Sequence, residues 1–339
     1  MSIMNFERIF PHAVDPDVAP ILYEPIDYNA AIGKRTNYGE LGVDVLYKML
    51  VDNISGNTVV GGSSVWRNDI VKNDGSFRQM AIPYYSVQTS FDVNAKEEAK
   101  FAKIMPSKSI VDFKKSVSLQ AMAQRRAHIV FFGADASEAQ GLFNASSETV
   151  SLPADSASHN TLTSYIPGEL LEFLVSQIRV VSDLSYNMLR PTVIVAPIDA
   201  INFLKSKIVP LTNYQEKGAG TSSVAQVFEN VVYDMNGMKV QFVPCSYMAG
   251  KGAGSNTDVM LIINPGVEVK EENRDSTAYF NNFGNNGYIN TFMDDALELQ
   301  EYQNPAMYQC TEWVMESIYT PGYSVRADAI RSIEYKYSE

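Results

Sequence analysis

With 339 residues, 45% of them hydrophobic, the chain is long enough to bury one large core or two moderate ones, which excludes a disordered chain or a small stapled scaffold. Its 27 basic against 39 acidic residues give a formal charge of −12, the wrong sign for a protein that grips nucleic acid by neutralising phosphates. Two cysteines, Cys245 and Cys310, form neither a metal-binding spacing nor a disulfide framework, and no apolar run approaches the roughly 18 residues of a membrane span. The N-terminal MSIMNFERIFPHA lacks the basic region and long apolar stretch of a signal peptide, so the expectation is a soluble chain made in a reducing cytoplasm.

Pro11, Pro16, Pro20 and Pro25 are spaced too closely for a continuous helix, and isolated apolar residues such as Phe10, Val14, Ile21 and Leu22 lie between them. Residues 1 to about 50 therefore read as an extended arm that must lie across its own body or a neighbour's. Beyond Asp52 the pattern is β. Asn73-Asp74-Gly75 is a turn signal between Ser64–Lys72 and Ser76–Val93, which predicts a long hairpin. Its first flank and tip (Arg67, Asn68, Asp69, Lys72) carry little that could pack on a core, so the ribbon projects and needs a partner. Lys96–Lys103 make a short charged helical turn.

The stretch from Ser107 to Asn144 organises the rest. Ile110, Phe113, Val117, Ala121, His128 and Phe131 share one face at helical spacing, interrupted only by Gln124. Ser109 with Asp112 has capping-box spacing and Gly133 is the natural stop, which predicts a strut about 36 Å long. A turn and short strand start at Gly141-Leu142-Phe143-Asn144. A Ser-rich connection then leads to Thr163, and Pro167 opens a helix with Leu170, Leu174, Ile178 and Val181 on one face. The strand Thr192–Ala196 runs into a helix near Ile198 with no glycine-rich turn between them, so plain α/β packing is expected rather than a phosphate site. Asn236-Gly237 reads as a hairpin turn between VVYDM and MKVQFV, and Ala249–Gly254 as a flexible exposed loop before the apolar strand DVMLII. Strands LELQEYQ, MYQCTEWVMESIY and YSVRADAIRSIEYKY follow, the last two separated by Pro321-Gly322.

Catalytic signatures are sparse. His12, His128 and His159 are scattered, and His128 on the helix stripe reads as a core histidine. No zinc-protease, nucleophile-elbow or Walker pattern occurs, and Gly250–Gly254 lies between strands rather than opening a helix. Asp294-Asp295 is a formal metal pair, but adjacent carboxylates in a turn are more often solvated. The reading is a non-enzyme without cofactor or metal, with a dispersed-site enzyme and a monomeric binding module as alternatives.

Taken in order, FFGADASEAQGLFN, VIVAPIDAINFL, MKVQFVPCSYM with DVMLIINPGVEVK, and VRADAI resemble segments of the major capsid proteins of tailed bacteriophages. Phe143 replaces the commoner leucine and Asp328 lies where proline is often seen. The resemblance implies an α+β tailed-phage major capsid fold: an N-terminal arm at 1–51, an extended hairpin loop at 52–80, a peripheral domain with the long spine helix at 81–162 and 289–339, and an axial domain at 163–288. It implies hexamers and pentamers of identical subunits closing an icosahedral virion capsid around double-stranded DNA held non-specifically. Scaffold, portal and decoration proteins are implied as further partners, and no membrane. Trp66, Arg67, Asp69 and Lys72 would lie over a neighbouring subunit, Lys251 would face the capsomer axis, and Lys72 lies in the region where some members form Lys-Asn cross-links. An encapsulin-like cargo compartment is the nearest rival; such shells usually lack the long arm.

Overall fold

The computed structural model describes residues 26–53, 75–104, 109–134, 141–146, 148–184, 190–209, 222–254, 256–266, 289–305 and 310–338. In chain order these form β1 (Lys34–Thr36), β2 (Val45–Asn53), β3 (Gly75–Pro83), β4 (Tyr85–Asn94), α1 (Ala95–Ile104), α2 (Ile110–Phe132), β5 (Glu148–Ser151), α3 (Pro167–Leu184), β6 (Val193–Ala196), α4 (Ile198–Ser206), α5 (Val224–Asn236), β7 (Gln241–Pro244), β8 (Thr257–Ile263), β9 (Thr291–Pro305), β10 (Cys310–Tyr319), β11 (Tyr323–Ser324) and β12 (Ile330–Lys336). One sheet runs β1-β9-β10-β4 with β11 also on β9, a second runs β5-β12-β8-β6-β7, and β2 with β3 forms a ribbon of its own. The expected α+β class is what the chain adopts.

In the second sheet β6 and β8 are covered on both faces, which is why VIVA and DVMLII read as apolar runs rather than alternations. Ile194, Met260, Ile262 and Ile333 face a core built with Leu170, Leu174 and Ile178 of α3, Ile201 and Leu204 of α4, and Phe228 and Val232 of α5. Their neighbours Val193, Val195, Leu261 and Ile263 face the opposite core, shared with Ile129–Phe132 of α2, Leu142, Met293 and Tyr319. That second core joins the two sheets. β5 and β12, from the segments expected in the peripheral region, pair in register beside β8 from the axial one.

α2 begins and ends where its caps dictate: Ser109 Oγ accepts from the Asp112 amide, and the Gly133 amide donates to the Ile129 carbonyl at 2.8 Å. Its buried face is not the predicted stripe. Ser118, Met122, Ile129 and Val130 turn to the protein, while Phe113 and Val117 are 42% and 53% exposed and Ala121 is exposed too. The stripe is accurate only at its ends, Ile110 and Phe131, because the last turn enters the core on all sides and β4 selects which side of the earlier turns is covered. Gly141 follows in a left-handed conformation (φ +109°); a Cβ there would lie 2.5 Å from the Phe131 carbonyl oxygen. This lets the Leu142 and Phe143 amides bond the Val130 and Phe131 carbonyls in a turn, without the expected short strand.

Three further expectations are corrected. The hairpin exists, but the strand that pairs Gly75–Pro83 is β2, with Asn53 opposite Gly75 and Val45 opposite Pro83; the expected first flank, 64–72, and Asn73-Asp74 lie outside the described residues. The apolar VLYKML segment is the better mate for β3, and the chain breaks at Tyr84, sending β3 and β4 into different sheets. Asn236-Gly237 ends a helix rather than turning a hairpin. VAQVFENVVYDM follows a 3.6-residue period, Ser223 and Gln226 close a capping box, and Gly237 (φ +70°) donates to the Tyr233 carbonyl at 2.7 Å. Finally, YSVRADAIRSIEYKY is not continuous: a 3-10 turn at Ala327–Ala329 separates β11 from β12, with Asp328 paired to Arg326.

Candidate assembly surface

The β2–β3 ribbon has one face on the protein and one on solvent. Leu46, Met80 and Ile82 pack with Ile289, Phe292, Tyr323 and Val325 at its base. By strand alternation Tyr47 and Met49 point away, and they are 61% and 60% exposed. Tyr38, Leu41 and Val43, on the turn-containing segment between β1 and β2, are also exposed. Single exposed apolar residues are ordinary; five of them between residues 38 and 49 are a concentration on one stretch of the chain.

The base of this ribbon is clamped. Asp294 on β9 is fully buried; its Oδ1 accepts from the Thr36 hydroxyl and, at 2.9 Å, the Tyr38 amide, and its Oδ2 accepts from the Gly39 amide at 3.0 Å and the Tyr84 hydroxyl at 2.7 Å. One carboxylate thus holds both the strand entering the ribbon and the residue leaving it. Burial pushes the Tyr84 phenol well above its ordinary pKa, and its hydrogen bond to Asp294 adds to the effect. Lys48 lies with its Nζ 4.5 Å from the Phe292 ring centroid. Burial and then Lys34 lower its pKa against the pull of Asp294. Asp295 turns to the other side of the strand, where it pairs with Arg126, whose guanidinium sits 5.0 Å from the Tyr319 ring centroid. The two aspartates are therefore neither in a turn nor a shared metal pair: strand alternation separates them, and no cluster of three metal-ligating side chains occurs among the described residues.

No protein-family model and no curated protein sequence matches the chain. Solved structures do. The capsid of Myoviridae phage XM1 is 12% identical, covers 96% of each chain and superposes with a TM-score of 0.69. The capsid of the empty GTA particle is 9% identical over 96% of this chain and 94% of that one, with a TM-score of 0.59. That of cyanophage P-SCSP1u is 10% identical over 98% and 94%, with a TM-score of 0.55. The fold is the tailed-phage capsid fold.

On that capsid fold, Trp66, Arg67, Asp69 and Lys72 fall in 54–74, outside the described residues, as does His12. Lys251 is exposed, with its Nζ 5.4 Å from the Phe132 ring centroid at the end of α2. Its loop is pinned rather than flexible: the Gly250 amide donates to Asp258, Gly252 to the Thr257 carbonyl and Ala253 to Glu334, at 2.8, 2.8 and 3.0 Å. His128 packs edge-on to Tyr247 and against Phe132, with its pKa lowered by burial and by the charges of Arg125 and Lys251. His159 Nδ1 lies 2.9 Å from Asp155 Oδ2, a pair that scattered sequence positions do not suggest. Asp155 is a loop pin: it also accepts from the amides of Ala157, His159 and Ile166. Sequence reasoning missed the exposed apolar residues between 38 and 49 and took Asp294 for one of a solvated pair. The available signal was weak, a largely apolar VLYKM segment and a carboxylate directly after the apolar Phe292-Met293.

Proposed function

We propose that this chain is a major capsid protein, the subunit of a self-assembling icosahedral shell built from hexamers and pentamers around double-stranded DNA. The observation that carries the reading is the exposed apolar ribbon, fixed at its base by Asp294, on a chain that matches a phage capsid subunit over nearly the full length of both. Buried apolar area contributes about 25 cal/mol per Å², so a ribbon laid on a neighbour supplies a modest interface that a closed symmetric shell repeats many times. The net charge of −12 suits a container that does not adsorb its DNA tightly. Scaffold, portal and decoration proteins belong to the same reading, as does a place in the virion after synthesis in a host cytoplasm. An encapsulin-like compartment and a dispersed-site enzyme have no comparable observation behind them.

The test is negative-stain imaging of the purified protein beside the double variant Tyr47→Asp/Met49→Asp. The parent should form closed particles and the variant should remain a folded subunit of the 37.6 kDa chain mass. Normal particles from the variant would remove the ribbon from the mechanism.

A further inference from the structure

The last turns of α2 carry a histidine into an aromatic joint. His128 meets Phe132, one turn further on, at 5.3 Å between ring centroids, and meets Tyr247 edge-on at 5.1 Å. Tyr247 belongs to the 3-10 turn Ser246–Met248 that follows β7, so the joint fastens that turn to the end of α2. On either side of Tyr247 and Ser246, Cys245 and Met248 are fully buried in the core that joins the two sheets.

The joint accommodates a neutral ring and penalises a charged one. His128 Nδ1 is sealed from solvent and has no hydrogen-bond partner among the described residues. An imidazolium carries a proton on both nitrogens, so charging the ring leaves a buried donor without an acceptor. Two cations add to the cost. On α2, Arg125 is held at the helix end by its bond to the Ala134 carbonyl at 3.1 Å, and on the loop after the turn the Lys251 Nζ sits 5.4 Å from the Phe132 ring centroid. Burial comes first, and these two charges next, in lowering the His128 pKa; a hydrogen bond to the Gly133 backbone works in the opposite direction and is outweighed. Tyr247 is the titratable group on the turn itself, and the carboxylates on the strands that hold the loop, Asp258 of β8 and Glu334 of β12, accept from the Gly250 and Ala253 amides.

We propose that His128 is a pH-sensitive latch: the neutral ring keeps the Ser246–Met248 turn seated on the end of α2, and protonation releases it. In the released turn the ring returns to water and to an ordinary pKa of about 6.5. Above that value both states are neutral and the latch stays shut. As the pH falls through it the released state binds the proton first, so opening is increasingly favoured until the pH passes the lower value of the seated ring. The device lies within one subunit, goes beyond the shell reading and does not depend on it.

The experiment uses the full chain, dilute, and compares amide exchange at about pH 7.5 and about pH 5, each rate corrected for the intrinsic pH dependence of exchange. The reporters are the Met248 and Ala249 amides, which donate to the Cys245 and Ser246 carbonyls at 3.2 and 3.3 Å and so do not rely on a carboxylate. The expected result is exchange on the order of tenfold faster at the acid pH, the factor that one unit of pKa difference supplies, and no acid effect in His128→Phe, which keeps an aromatic ring and cannot titrate. Equal corrected rates in the parent, or the same acceleration in His128→Phe, would overturn the proposal. So would an acceleration that extends equally to β6 and β8, since that is unfolding of the whole chain. Lys251→Gln, at an exposed position, is a second variant: with one cation gone the ratio of acid to neutral rates should fall by about twofold or more, and an unchanged ratio would overturn the proposal independently.

Discussion

The second sheet and the ribbon both place apolar side chains on successive sides of a strand, yet they solve opposite problems. In β5-β12-β8-β6-β7 each face meets a core, and Val195, Leu261, Ile262 and Ile263 are sealed from solvent. In β2–β3 only the face bearing Leu46, Met80 and Ile82 is covered, and Tyr47 and Met49 stand in water. A two-stranded ribbon is marginal without further support. Here the support is a small apolar base and a single buried carboxylate, enough to hold the ribbon in place without hiding its outer face. The same period of two therefore yields a sealed core in one region and an exposed apolar face in the other.

That contrast can be broken at either end. Phe228→Ala in the sheet's helical layer should cost about 3 to 5 kcal/mol, because the ring is almost fully buried among α3, α4 and α5 and the site cannot collapse around a methyl group. Urea unfolding of the subunit reads this as a large fall in midpoint. Asp294→Ala should cost about 3 kcal/mol, since two amides and two hydroxyls lose their acceptor together. Amide exchange should accelerate first in β1, β2 and β3, leaving β6 and β8 protected; uniform acceleration would mean that the clamp is not local to the ribbon.

A smaller effect is confined to acid. Burial alone would raise the Asp155 carboxyl, but the backbone amide of His159, its ring and the amide of Ile166 outweigh it and hold the group below the usual carboxylate range. A carboxyl lowered in the folded state contributes stability above its unfolded pKa of about 4 and loses it as the pH falls through the folded value. The thermal midpoint of the parent should therefore exceed that of Asp155→Asn at neutral pH, and the gap should close on acidification. A constant gap between pH 7 and the acid limit would contradict the assignment. The smallest effect on the single chain is expected from Tyr47→Ala and Met49→Ala, within about 0.5 kcal/mol of the parent, because those side chains are more than half exposed.

The sequence showed boundaries better than partners. The limits of α2 are legible because Ser109 and Gly133 act locally, and α3 because Pro167 and its leucines do. The face of α2 is not legible: Phe113 and Val117 extend a true apolar pattern but stay 42% and 53% exposed, so periodicity alone assigns them to a core. The hairpin is legible as a hairpin, whereas its register depends on which distant strand competes best for β3, and a local Asn-Asp-Gly signal outvoted VLYKML. Asn236-Gly237 carries one physical fact, a left-handed glycine, that serves a helix end as well as a turn. Asp294 looked solvated because its four donors come from Thr36, Tyr38, Gly39 and Tyr84, more than 200 positions away in the chain.

The most direct test of the central claim, that this subunit is completed by copies of itself, is particle formation by the purified chain read by imaging together with light scattering. Closed particles from the parent, and folded single subunits from Tyr47→Asp/Met49→Asp under the same conditions, are the predicted result. A parent that stays at the mass of one chain under conditions favouring association, or a variant that closes normal particles, would contradict it.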